Sequence, residues 1–409
     1  MNKYDAYKES GIDWIGTIPS HWEIMPFKRR MTLHNGADYK DWASDDGYPV
    51  IGSGGQFAFA RKYMYDGEAV LLGRKGTIDR PLFYNGPFWA VDTMFYAVPD
   101  RRAYCKYMYY QALTFPFNYY ATATALPSMT QTDLGSNPVC VPPYKEQKAI
   151  ADYLDAECKK IDVLIEKEEK RGQLIEEIKL SIITKVITKG LNADKEFVNS
   201  GLDWVGRIPS DWALWKTSHL FTGIGSGTTP KSGDSSYYDD EGHYWLQTGD
   251  LNDGHITDTS KKVTDKAVSE KNLRFYPVNS VVIAMYGATI GKLGILDIET
   301  STNQACCVLP PSKKVLPMFA FYHFMAAKQN LINQSAGGGQ PNISQDIIRR
   351  HKIPLPPTID EQKAIVEYIS KKTIKYDAAL RKASRLISTL KEYKQSLIYE
   401  VVTGKRRIR

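Results

Sequence analysis

The chain has 409 residues, 43% hydrophobic and 12% aromatic, which is enough apolar content for two or three packed domains and excludes a disordered protein. Its net charge of +7 favours a polyanionic partner where basic residues gather in patches. The five cysteines (105, 140, 158, 306 and 307) lack CxxC spacing, and neither an apolar signal core nor a transmembrane-length run is present. These features argue against a disulfide framework, a zinc site and a membrane protein, and point to a soluble cytoplasmic chain.

The N-terminal phrase SGIDWIGTIPSHWE, Ser10 to Glu23, returns 190 positions later as SGLDWVGRIPSDWA, Ser200 to Ala213. Trp14, Pro19 and Trp22 match Trp204, Pro209 and Trp212. The region after the first phrase, 24 to 141, contains YPVIGSGGQFAF, EAVLLGRKGTI and WAVDTMFYAVP. Short β-rich runs bounded by Gly, Pro and Asp predict strands joined by tight turns. Lys106 to Asn118 is aromatic and predicts a helix.

Pro142-Pro143 then opens a long run without proline, as Pro356-Pro357 does again. Glu146-Gln147-Lys148-Ala149-Ile150 returns 215 positions on as Glu361-Gln362-Lys363-Ala364-Ile365. At the same offset Leu154, Ile161, Ile175 and Ile182 become Ile369, Tyr376, Leu390 and Leu397. A second row sets Cys158, Ile165 and Val186 against Thr373, Leu380 and Val401. Heptad-spaced apolar residues with Lys and Glu between them predict two equivalent long helices packed on each other.

The second middle, 214 to 355, contains GIGSGTTPKSG, HYWLQTGDL and SVVIAMYGATIGKLGIL, and Pro317 to Asn333 predicts a helix matching the earlier aromatic one. TSTNQACCVLPP parallels WAVDTMFYAVP, and NISQDIIRRHKIPLPP parallels SMTQTDLGSNPVCVPP. The whole chain is therefore a tandem duplication of phrase, globular region and helix. The offset grows from 190 to 215, so the second globular region is longer by 25 residues. Both middles predict a mixed α/β domain of antiparallel character.

Several stretches imitate catalytic motifs and fail on chemistry. In MYGATIGKL, Gly287 to Gly291 is one residue short of a phosphate loop, and Leu293 stands where Ser or Thr must reach magnesium. VPPYK, Val141 to Lys145, lacks the Asn or Asp that would bind a target amine, and GSGG at 52–55 opens no strand–helix cofactor fingerprint. His21, His34, His219, His243, His255, His323 and His351 show no ligand spacing, and no acidic pair with a nearby lysine marks a nuclease. No catalytic or metal residue is assigned.

What remains is a set of polar, Gly-flanked loops at matched places. The candidates for DNA contact are Ser53, Gln56, Arg74, Lys75, Thr77 and Arg80 in the first middle. In the second they are Thr229, Lys231, Gln247, Thr248, Tyr286, Thr289, Lys292 and Gln340. Arg and Lys suit guanine edges or phosphates, Gln suits adenine, and glycine permits close backbone approach. A duplex with two half-sites fits a reader with two half-similar domains.

DWIGTIPSHWE and DWVGRIPSDWA, PPYKEQKAIADYLD and PPTIDEQKAIVEYIS, with GSGTTPK, WLQTGDL and MYGATIGKLGIL, resemble the specificity subunit of type I restriction–modification systems over essentially the whole chain. The first domain departs from the pattern: YPVIGSGGQF replaces WLQTGDL and GRKGTI replaces YGATIGK, which implies another recognition subtype. The resemblance implies an α+β fold in which two long antiparallel coiled-coil helices join two similar mixed α/β target-recognition domains. The expected divisions are recognition domains at 1–143 and 200–357 and helical spacer regions at 144–199 and 358–409. Leu154, Ile161, Ile165, Ile175, Ile182, Ile369, Tyr376, Leu380, Leu390 and Leu397 are the expected helix-pairing residues. It further implies a non-catalytic subunit that reads a bipartite, asymmetric site in double-stranded DNA. Its helices would act as a ruler for the unread spacer and dock two adenine-methylating subunits, with restriction/translocase subunits in the full complex. S-adenosylmethionine, ATP and Mg would belong to those partners and no cofactor to this chain. A methyltransferase–specificity fusion is disfavoured by the missing catalytic motif; a stand-alone DNA-binding regulator differs only in lacking a methyltransferase partner.

Overall fold

In the computed structural model, described for residues 3–117, 128–335 and 342–408, the chain forms two compact units. The first is Met1–Lys170 together with Ala383–Arg409, and the second is Arg171–Lys382. This division by compactness falls inside the two long helices rather than at their ends.

In the first unit the opening phrase supplies β1 (Tyr7–Glu9) and β2 (Thr17–Pro19), paired antiparallel, and then β3 (Glu23–Pro26). The middle gives β4 (Met31–Asn35), β5 (Ala43–Ser44), β6 (Tyr48–Gly52), β7 (Gly55–Ala60), β8 (Tyr65–Gly73), β9 (Leu82–Ala90) and β10 (Met94–Pro99). These seven strands form one sheet in the order β4-β10-β8-β9-β6-β7-β5, antiparallel except for β6 beside β9. β11 (Pro138–Val141) pairs with β3 and leads into the central helix, Tyr144–Lys189.

Strand β8 explains the apolar run AVLL. Successive side chains of a strand point to opposite faces. Val70 and Leu72 enter the core that the phrase and helices share, whereas Ala69 and Leu71 enter a second cluster with Val50, Ile51, Phe88 and Trp89. The aromatic helix runs Cys105–Ala112, shorter than Lys106 to Asn118. It stops where Thr114 and Phe115 tighten onto Gln111 and Ala112 ahead of Pro116, and Asn118 lies outside the described residues.

The second unit repeats the plan. It contains β12 (Phe197–Asn199), β13 (Arg207–Pro209), β14 (Ala213–Lys216), β15 (Gly225–Ser226), β16 (Tyr238–Leu246), β17 (Gly254–Ile256) and β18 (Lys262–Val263). β19 (Phe275–Tyr276), β20 (Val281–Ala284), β21 (Leu293–Leu296), β22 (Thr300–Thr302), β23 (Cys306–Leu309) and β24 (Lys352–Leu355) follow. Two larger sheets result, β15-β23-β20-β21-β17 and β18-β16-β22-β19, beside the two-stranded pairs β12-β13 and β14-β24. β20 is the counterpart of β8: Val281 and Ile283 face one core, Val282 and Ala284 the other. The helix Pro317–Asn333 has the bounds that the sequence predicts.

The repeated EQKAI motif has a structural cause in both units. Gln147 is fully buried; its oxygen accepts the Tyr104 N–H (2.8 Å), and its amide donates to the Arg102 and Pro142 carbonyls (3.1 and 2.9 Å). Gln362 accepts the Leu316 N–H (2.9 Å) and donates to the Lys314 carbonyl (3.0 Å). Each glutamine thus fastens the loop before the shorter helix to the start of a long one. The preceding glutamates hold the phrases: Glu146 accepts from the Tyr4 hydroxyl (2.8 Å) and contacts His21 (2.9 Å), while Glu361 accepts from Lys195 (3.0 Å) and the Trp212 indole (3.2 Å).

The central helix and the C-terminal helix, Ile359–Val402, run antiparallel. In the first unit Asp162 meets Lys394 (2.7 Å) and Glu169 meets Lys391 (3.8 Å), and in the second Lys179 meets Asp377 (2.7 Å). Leu154, Ile161 and Ile165 are buried with Leu397 in the core of the first unit, and Ile369 in that of the second. Of the other expected pairing residues, Ile175, Ile182, Tyr376, Leu380 and Leu390 are half-buried, with Leu390 packed against the first core and Ile182 against the second. The apolar contact concentrates where helices meet the globular parts, with Ile183 and Ile187 fully buried one and five positions past Ile182. A fully buried Leu or Ile contributes about 1.5–3 kcal/mol, against roughly 0–1 kcal/mol for an exposed ion pair, so these ends dominate the pairing.

Candidate nucleic-acid interface

The loops that hold the candidate residues are tied together by backbone hydrogen bonds that recur in both units. Arg74 N–H donates to the Thr93 carbonyl (2.8 Å), and Met129 N–H to the Arg74 carbonyl (3.0 Å). In the second unit Met285 N–H donates to Ala305 and Ile343 N–H to Met285, both at 2.8 Å. Bridges join Lys75 to Ser128 and Tyr286 to Asn342. Arg74 therefore matches Met285, and Lys75 matches Tyr286. By the same test Val91 N–H on the Ile51 carbonyl (3.2 Å) matches Asn303 N–H on Leu246 (3.0 Å), so Ile51 matches Leu246 and Gly52 matches Gln247.

A third match comes from packing. At Gly36 an added Cβ would stand 2.0 Å from the Val91 carbonyl oxygen, and at Gly227 one would stand 1.6 Å from that of Thr302. Only glycine fits where the chain passes this closely. GADYK therefore matches GTTPK, and Lys40 matches Lys231. The sequence comparison passed over Lys40, although the shared Gly-x-x-x-Lys spacing was the signal for it. Lys62, whose ammonium lies 3.7 Å above the Trp42 ring, was also missed, and nothing in the repeat pattern points to it.

The framework is alike, and what it displays is not. Arg74, Lys75, Thr77 and Arg80 are exposed, with the Arg74 guanidinium 5.8 Å above the Phe95 ring. Met285 is buried and Tyr286 half-buried, as are Thr289 and Lys292. Gln56 is exposed on β7 beside Phe57, itself 59% exposed; Ser53 is half-buried in the same hairpin. Phe57 packs toward Gly52, and Val91, whose N–H donates to the Ile51 carbonyl, stands two residues before Thr93, whose carbonyl accepts the Arg74 N–H. Arg80 follows Asp79, which lines a groove against the helices.

In the second unit Trp245 and Leu246 are buried, leaving Gln247 and Thr248 half-exposed at the strand end. The Asp250 carboxylate fixes this turn by accepting the N–H of Gln247 (2.8 Å) and of Ser260 (3.1 Å). Thr229 donates its hydroxyl to Gln304, and Lys231 is exposed. Gln340 lies outside the described residues. All five cysteines are buried, and burial pushes the thiols of Cys105, Cys140 and Cys307 up to about 12, which keeps them un-ionised. Among the described residues no cluster of three or more His, Cys, Asp or Glu is placed to hold a metal ion, and no helix is long and apolar enough to cross a membrane.

Fold and loops together define a tandem two-domain protein in which one framework presents two different sets of side chains. The sequence pattern described as the type I restriction modification DNA specificity domain matches residues 22–176 and again 209–382. The type I restriction enzyme MjaVIII specificity subunit of Methanocaldococcus jannaschii is 27% identical over 300 residues, covering 70% of this chain and 66% of that protein, just under two thirds of its length. The type I restriction enzyme EcoBI specificity subunit of Escherichia coli is 20% identical over 357 residues, 82% of this chain and 73% of that one. A chain from a structure on complex assembly and conformational transition of the type I R-M system superposes with a TM-score of 0.64 at 16% identity. The match covers 94% of this chain and 98% of that one. The chain belongs to the type I restriction–modification specificity subunit family, with two recognition domains.

Proposed function

We propose that this chain is the non-catalytic specificity subunit of a cytoplasmic type I restriction–modification complex. It reads a bipartite, asymmetric site in double-stranded DNA, one domain per half, with recognition domains at 1–143 and 200–357 and helical spacer regions at 144–199 and 358–409. The observation that supports this most directly is the pairing of Arg74 with Met285, Lys75 with Tyr286 and Gly52 with Gln247 on one hydrogen-bonded framework. Two copies of a scaffold with unlike displayed groups suit two unlike half-sites, since base-edge contacts specify and phosphate contacts position.

The helices then dock two modification subunits, which supply S-adenosylmethionine chemistry, and through them the ATP- and Mg-dependent restriction subunits. Exposed apolar residues on these helices, including Leu164, Leu174, Ile178, Ile374 and Leu386, support such a docking role. The test is genome-wide mapping of methylated adenines in cells expressing the chain with its modification subunits. One bipartite motif is expected, and none with the chain alone. Methylation by the isolated chain, or a motif without two separated halves, would overturn the proposal.

A further inference from the structure

The second unit is longer mainly between Gly227 and Met285, where the offset to the first unit rises from 191 (Gly36 to Gly227) to 211 (Arg74 to Met285). This segment has a small core of its own: Tyr237, Trp245, Val263, Ala267 and Leu273. Lysines stand over its tyrosines. The Lys261 ammonium lies 5.6 Å from the Tyr238 ring centre and the Lys266 ammonium 5.3 Å from that of Tyr237. An aromatic face holds an ammonium in place without neutralising it. Among the described residues neither lysine forms an ion pair with a carboxylate; Lys266 donates to the Ser236 hydroxyl (2.9 Å). The Asp234 carboxylate, on which Lys266 and Lys231 act through space, is bonded by the Ser236 N–H and hydroxyl (3.0 and 2.7 Å).

These lysines are fastened to the loops that hold the candidate reading residues. The Tyr238 hydroxyl donates to the Pro230 carbonyl (2.8 Å) and the Trp245 indole to that of Thr228 (3.1 Å), which seats Thr229 and Lys231 on the same core. Ser260, next to Lys261, is bound by the Asp250 carboxylate that fixes Gln247. Exposed ammoniums that form no ion pair among the described residues, pinned beside a polar loop, suit an oxyanion held as a point charge.

Resting on the function proposed above, we infer that Lys261 and Lys266, with Lys231, grip backbone phosphates of the DNA duplex beside the second half-site, the first two from a segment that has no counterpart in the first domain. The two added lysines position the duplex and leave base choice to Gln247 and its neighbours.

The experiment is a salt titration of binding by the full chain assembled with its modification subunits, on a duplex with the mapped motif. Each phosphate contact contributes about 0.9 to the slope of log affinity against log salt. Lys261→Gln/Lys266→Gln should make the slope shallower by about 1.8 with the methylated motif unchanged, and Lys261→Arg/Lys266→Arg should retain the original slope. Lys372→Gln, whose ammonium lies 5.4 Å over Tyr368 on the C-terminal helix, should leave it unchanged. An unaltered slope in the double Gln variant, or a changed motif, overturns the inference. Loss of motif-dependent binding already in the unaltered complex would instead refute the function on which it rests.

Discussion

His323 and His351 meet Nε2 to Nε2 at 2.9 Å inside the second unit, both buried, with the Trp204 ring against each. The matching positions in the first unit are Gln111 and Asn137. Gln111 there bonds the Tyr107 hydroxyl and the carbonyls of Cys140 and Val402 (2.7, 3.0 and 2.7 Å). One scaffold thus fills the same interior position with an amide in one unit and imidazoles in the other.

That difference predicts unequal acid sensitivity. Burial lowers His323 well below the ordinary histidine value and lowers His351 to about 4. The unfolded state, at about 6.5, binds protons first, so stability is full above about pH 6.5 and falls from there toward pH 4. His351 alone should cost the second unit on the order of 3 kcal/mol by pH 4, and His323 adds to that loss. Calorimetry across this range should show its transition moving down. His323→Gln/His351→Asn should flatten the histidine-linked part of the response, and an unchanged pH profile in that variant would disprove the assignment.

Gln147→Ala should destabilise the first unit and Gln362→Ala the second. Each leaves buried backbone groups without partners, at a cost of about 1–3 kcal/mol per group. At roughly 2–4 °C per kcal/mol for a domain of this size, the affected melting transition should drop by several degrees. The other transition should stay in place. A common shift of both transitions would show that the units do not melt separately.

Arg74→Ala or Lys75→Ala should act on one half of the methylated motif only. Losing a bidentate base contact costs ~1–3 kcal/mol and relaxes sequence choice there, whereas losing a phosphate contact weakens all sequences alike. Methylation mapping separates these outcomes. Lys292→Ala is the mirror test in the other half. A change in the half opposite to the mutated domain is incompatible with one domain per half.

If the helices set the spacer, they must be lengthened together, because the pair is antiparallel. Four residues added after Lys170 and four after Lys382 extend each helix by about one turn, roughly 6 Å, and nearly preserve the facing sides. That corresponds to one or two base pairs at about 3.4 Å each. The unread spacer should grow by that amount with both halves unchanged; an active protein with the original spacer would refute the ruler.

The duplication and the long helices were legible because repeats and heptads are local patterns. The exposed loops were located by their glycines and polar residues, but their pairing was not legible. No alignment of letters sets Lys75 against Tyr286; only the shared hydrogen bonds across strands do. The half-buried middle of the helix seam was invisible for a similar reason. Periodicity marks a face, whereas burial at Ile183 and Ile187 depends on the strands that cover it.

The first unit is completed by Ala383–Arg409, far along the chain from its other residues. The Val402 carbonyl accepts from Tyr107 and Gln111, Gly404 lies against Pro19 and Trp22, and the Lys405 ammonium donates to the Thr17 carbonyl (2.8 Å). During translation at about 5–20 residues per second, the N-terminal 170 residues wait roughly 10 to 50 s for that closing strip. Arg171–Lys382 emerges whole before then. The domain synthesised first is therefore the later of the two to have its core filled, and until residues 383–409 follow, the second domain can be complete while the first is still open.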